Sequence, residues 1–149
     1  MRGGSLGMAR VLALSAALAG SGLAFASATS GVGAYRSTLM STWSRHLKLA
    51  GQIRKGEVDR KGDLAAHAAA LRIGADDLVA LFPKGSEGGE ARPEIWSKSS
   101  AFAEAASTYA AATAALVKAT EGGDDAAIGA ALDAVGSACG GCHKQFKAD

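Results

Sequence analysis

Near the C-terminus, Cys139-Gly140-Gly141-Cys142-His143 combines residue types and spacing that point to a defined chemistry. Cys-x-x-Cys-His is the pattern of covalent c-type haem attachment. Two thiols add across the two vinyl groups on one porphyrin edge, and the adjacent imidazole reaches the iron at the centre. On a helix, positions 139, 142 and 143 fall within an arc of about 100°, so both anchors and the ligand address one haem face. Gly140 and Gly141 between them demand little space. Three other chemistries use the same residue types. A thioredoxin-like redox pair needs an alternating strand–helix context, and no such pattern is visible. A structural zinc site needs four ligands; Cys139, Cys142 and His143 supply three, and nothing in the spacing asks for His46 or His67 as the fourth. A disulfide, the default for two cysteines in an exported chain, would here close only a tiny loop of little scaffolding value.

Helices must position this motif. Alanine supplies much of a hydrophobic fraction of 48%, while aromatics are only 5%, and this balance favours close-packed helices over sheets. A first helix is predicted from about residue 33 to 55, with Tyr35, Leu39, Met40, Trp43, Leu47 and Ile53 at helical spacing and Gly56 as its stop. A second is predicted from about 59 to 81, where Leu64, Leu71, Leu78 and Leu81 form one stripe. Gly62 and Gly74 are expected to weaken it without breaking it. Residues 82–93 hold both prolines and three glycines and read as a loop. Pro93 suits the first turn of a third helix, and Glu94 the positive end of its dipole. That helix continues through Ile95, Phe102, Ala106, Tyr109 and Leu116 to about Thr120. Gly122 and Gly123 end it, and Asp124 caps a fourth helix running to about Lys147. The expected fold is all-α, an antiparallel four-helix bundle.

The N-terminus reads as a secretory signal over residues 1–26. Arg2 and Arg10 give a positive start, and Val11 to Ala19 form an apolar run too short to span a bilayer. Ala24-Phe25-Ala26 is a small-residue cleavage site, with Ala26-Ser27-Ala28 the alternative, leaving 27–149 as the bundle domain. Loss of Arg2 and Arg10 takes the 16 basic residues to 14, against 14 acidic ones. A balanced surface gives no long-range field for nucleic acid or anionic lipid. Arg45, Lys48, Arg54, Lys55, Arg60 and Lys61 are interleaved with Glu57 and Asp59 and read as a solvated face rather than a docking patch.

Several segments together resemble the bacterial cytochrome c′ family. They are Tyr35-Arg36 with Met40, Leu81-Phe82-Pro83 through Gly88-Gly89, Ala91-Arg92-Pro93-Glu94-Ile95-Trp96, and the stretch from Cys139 to Lys147. Cytochromes c′ are reference four-helix bundles, so this resemblance and the fold expectation are not independent. The resemblance implies one covalent haem c per chain with five-coordinate iron and His143 as proximal ligand. It implies that Arg36 pairs with a haem propionate and that Met40 covers the vacant distal side. Lys147 matches the place of a basic residue near the proximal face, where arginine is commoner and offers a planar fork that lysine lacks. From the residues alone, Arg36 and Met40 share one helical face, being four apart. Met40, Trp43 and Trp96 could equally be core filling.

Two functions follow from the resemblance. One is binding of small diatomic gases, nitric oxide and carbon monoxide, in the periplasm. The alternative is a low-spin electron carrier in which Met40 is the sixth ligand, an arrangement that raises the potential. A redox partner and a homodimer through the first two helices, with Leu47, Leu49 and Ile53 available for contact, are implied as well. No paired carboxylates, nucleophile–base pair or second cofactor signature can be placed, so no dedicated catalysis is expected.

Overall fold

The computed structural model describes residues 20–148, with side chains from residue 31 onward. Residues 1–19 of the expected signal lie outside the described residues. The first helix, α1, spans Gly20–Arg54 and so begins earlier than the apolar stripe indicates, running through both candidate cleavage sites. Ala24, Ala26, Ala28 and Ala34 favour helix in this stretch, while Gly20, Gly22, Gly31 and Gly33 weaken it without breaking it. Trp43, Ala50 and Ile53 are its buried core positions, whereas Tyr35 is 55% exposed and belongs to solvent rather than to the stripe.

The second helix is shorter than expected. A 3-10 turn at Lys61–Asp63 leads into α2, Leu64–Arg72, and a second 3-10 turn covers Leu78–Leu81. Gly74 does break the helix: it takes φ 73°, a left-handed conformation that glycine alone adopts without strain. The stop is also satisfied chemically. A helix leaves its last carbonyls without partners. Here Tyr109 Oη donates to the Leu71 carbonyl (2.9 Å) and Trp43 Nε1 donates to that of Ile73 (3.1 Å). The leucine stripe still faces the core, since Leu64, Leu71 and Leu78 are all buried.

The third helix is divided. A single turn, α3, covers Glu94–Ser97, and Lys98 (φ −120°, ψ 48°) separates it from α4, Ser99–Gly122. Gly123 ends α4 in the left-handed region (φ 70°). The Asp124 carboxylate then accepts from the Ala127 amide (2.7 Å), capping α5, Asp125–Phe146. α4 packs on α5, α2 on α4, and α1 on both α2 and α5, which closes a four-helix bundle. Its core centres on Trp43, Leu71, Tyr109, Leu116 and Val135, and a smaller cluster of Ile95, Phe102 and Phe146 lies beside it. Among the described residues no helix is long and apolar enough to cross a membrane.

The basic cluster is mostly paired within the chain. Arg54 meets Asp133 (3.5 Å), Arg60 meets Asp63 (2.8 Å) and Lys61 meets Asp125 (2.7 Å). This is the solvated face that the sequence indicates.

Candidate haem-binding site

α5 buries Ile128, Leu132, Val135 and Ala138 along one face, and that register sets where its last turns point. Cys139 is half-buried and packs against the main core, while Cys142 packs against the Ile95–Phe102–Phe146 cluster. Both are free thiols. Burial pushes each thiol above its ordinary range, with Cys139 adding to the effect at Cys142. A Cβ built on Gly140 or Gly141 meets nothing within 4 Å, so the protein itself leaves the space beside the two glycines open.

A cavity of about 740 Å³ opens beside this end of α5. Its size suits a sizeable ligand, since such sites run from about 300 to 1,000 Å³. Arg36 and Met40 reach it from α1, Phe82 and Glu90 from the loop, and Cys142 and His143 from α5. Four of the five residues singled out in the sequence therefore share one cavity. Cys139 is not among its lining residues and stands on the side of the main core.

Arg36 is the least expected member in its surroundings, being 8% exposed. Its Nη1 donates to the Leu81 carbonyl (3.0 Å) and to Ser86 Oγ (3.3 Å), and its Nη2 donates to the Ser86 carbonyl (3.2 Å). The guanidinium carbon sits 4.3 Å from the centroid of the Phe82 ring, a cation–π contact. Burial lowers its pKa from the ordinary value. Among the described residues no carboxylate pairs with it. A buried cation held only by neutral acceptors is suited to an anion entering the cavity.

His143 is exposed and lines the cavity. Desolvation lowers its pKa, the Lys147 ammonium lowers it further, and Glu90 opposes both. The neutral imidazole, whose lone pair a metal needs, is thereby favoured. Lys147 lies on the same wall and pairs with Glu90 at 3.3 Å. That contact belongs to a short zipper between the loop and the end of α5. The Arg92 amide donates to the Phe146 carbonyl (3.0 Å), and the Ala148 amide to that of Glu90 (2.8 Å). Trp96 completes the loop's attachment, its Nε1 donating to the carbonyls of Phe82 (3.1 Å) and Pro83 (3.2 Å).

Sequence reasoning missed Glu90, Ser86 and the aromatic wall. Phe82 meets Phe102 edge to face at 4.7 Å, and Phe102 meets Phe146 at 5.2 Å. Their apolar character was visible, but their meeting depends on how the loop crosses the bundle. The zinc alternative finds no support in the structure. Among the described residues no three His, Cys, Asp or Glu side chains gather to hold a metal, and His46 and His67 contact each other. One free thiol and a neutral-leaning imidazole on a cavity of suitable size, a second free thiol one turn back on the core side, and a buried cation without an acid partner fit haem c.

A family model described as Cytochrome C' matches residues 32–147. The cytochrome c' of Rhodospirillum rubrum is 39% identical over 118 residues, covering 77% of this chain and 80% of that protein. That of Pararhodospirillum photometricum is 36% identical, covering 76% and 93%. Among solved structures, a nitric oxide complex of a cytochrome c prime variant from Alcaligenes xylosoxidans superposes with a TM-score of 0.76 at 26% identity. It covers 81% of this chain and 97% of that one.

Proposed function

This chain belongs to the cytochrome c′ family, a four-helix bundle with covalently attached haem c, and on that footing we propose that it is an exported gas-binding protein with five-coordinate iron. Its ligands are small neutral diatomics, nitric oxide and carbon monoxide. Cys139 and Cys142 form the two thioether bonds, and His143 is the axial ligand of the iron. Arg36 holds a propionate. Met40 covers the distal side, where its half-buried side chain packs against the main core. Bound there, haem c supplies an iron that changes redox state and accepts one small ligand. The residues around it decide what enters: the Met40 thioether is an apolar part of a wall that also carries Arg36, Ser37, Ser41 and Ser44, and its displacement sets part of the binding cost.

The observation that carries this reading is that Met40, from α1, and His143, from α5, line one cavity with a buried guanidinium in its wall. The nitric oxide complex of the Alcaligenes relative supports it. The same observation favours a second reading, in which the Met40 sulfur binds iron and the protein is a low-spin electron carrier. We further propose removal of residues 1–26, or 1–28, on export to the periplasm, with 27–149 as the working domain. An unidentified redox partner and a homodimer through α1 and α2, with the 44% exposed Leu49 in the contact, complete the proposal. Dedicated catalysis and nucleic-acid binding have no place in it.

Optical spectra of the haem-loaded protein, parent and Met40→Ala, test the assignment. The expected parent is high-spin in both oxidation states, and Met40→Ala keeps that spectrum while binding nitric oxide faster. A low-spin parent that turns high-spin in Met40→Ala overturns gas binding in favour of the carrier.

A further inference from the structure

We propose that His46 and His67 form a two-histidine site for a divalent transition metal, copper(II) first, at the seam between α1 and α2. The rings come from different helices, their Nδ1 atoms are 2.9 Å apart, and their centroids are 5.2 Å apart. Both are half-buried, with a flank left to solvent. In the metal-free state one Nδ1–H donates to the other Nδ1, which fixes opposite tautomers in the two rings.

The 5.2 Å centroid separation sets the two Nδ1 atoms head to head, a geometry for sharing a proton. Imidazole nitrogens bind first-row metals at about 2.0–2.1 Å, so rings turned toward a shared ion with their nitrogens still about 2.9 Å apart would subtend about 90° there. Adjacent ligands in a tetragonal site make that angle, the geometry of copper(II) and nickel(II). Tetrahedral zinc needs the nitrogens opened to about 3.3 Å. Copper(II) also stands highest in the affinity order for nitrogen ligands. The rings now face head to head, and capture of an ion requires each to tilt toward solvent, which their open flank allows. The donor ring moves its proton to Nε2, so no net proton is lost.

Desolvation and the neighbouring His46 push the His67 pKa down, and Asp63 partly offsets them. Asp63 lies one turn before His67 but pairs with Arg60 at 2.8 Å and does not gather with the two rings, so the protein ligands of the site are the two imidazoles. Water completes the coordination. The chain has three histidines, and with His143 committed to iron these two are its remaining imidazoles.

The test titrates haem-loaded protein with copper(II) chloride, followed by calorimetry and electron paramagnetic resonance. One equivalent is expected, with a copper signal split by two nitrogens and a haem spectrum left unchanged. His46→Gln and His67→Gln should each weaken binding at least about tenfold, and affinity should fall as pH drops below about 6.5, where protons compete. An unchanged affinity in the double variant, or a copper signal without two-nitrogen splitting, overturns the site. The second readout uses only the parent protein and stands even where a variant fails to fold. Tighter binding of zinc than of copper overturns the choice of ion.

Discussion

Arg36→Met removes the guanidinium while keeping an unbranched apolar stem against Phe82. Two carbonyls, those of Leu81 and Ser86, then lose donors now at 3.0 and 3.2 Å. Each such acceptor left without a donor costs at least about 1 kcal/mol. Loss of the cation over Phe82 adds about 1 kcal/mol. Ser86 Oγ keeps its own bond to the Pro83 carbonyl (2.7 Å), so the hydroxyl adds nothing. Relief from burying a cation returns part of the sum, and loss of the proposed propionate partner works the other way. The expected net is about 2–3 kcal/mol, which for a domain of this size lowers the melting temperature by roughly 10 °C. The assay is urea and thermal unfolding of haem-loaded protein by circular dichroism, with a redox titration alongside. The potential should fall, because a positive charge near the iron favours the reduced state. Arg36→Lys restores the charge without the fork, so it should recover the potential but not the loop's stability. A loss below about 0.5 kcal/mol in Arg36→Met, with the potential unmoved, would refute the reasoning.

Gly74→Ala should cost about 1–2 kcal/mol, read as a lower urea midpoint at constant slope, because a left-handed alanine is strained. Its Cβ would also stand 3.2 Å from Leu39 Cδ2, whereas Gly62→Ala meets nothing within 4 Å and should be near neutral. For pH, the His67 pKa is depressed in the fold, so the unfolded chain binds more protons. Stability should therefore be full above the ordinary histidine value of about 6.5 and decline as pH falls below it. His67→Gln should flatten that decline in unfolding curves collected across pH; an identical slope in the variant contradicts the assignment.

Much of this protein is written locally. The attachment motif, the Asp124 cap and the Gly123 stop each depend on residues within one helical turn, and helix periodicity makes a run such as Leu64, Leu71 and Leu78 readable without a partner. Gly74 marks the border of that legibility. The apolar stripe continues through it, and only the arrival of Trp43 and Tyr109 at the carbonyls of Ile73 and Leu71 makes a stop there cheaper than another turn of helix. The division of the third helix at Lys98 was equally hidden, because no breaker residue marks it.

The cavity wall was decided by tertiary structure. Arg36 finds its acceptors 45 and 50 residues away, His46 meets His67 across 21, and Glu90 reaches Lys147 from the far side of the loop. Residue type announces that a guanidinium or an imidazole needs a partner, but distance along the chain carries no information about which one packing supplies. What the sequence settled was the chemistry of attachment and the class of fold, since both rest on spacing within single helices. The walls of the cavity beside that motif were settled when the helices and the loop closed together.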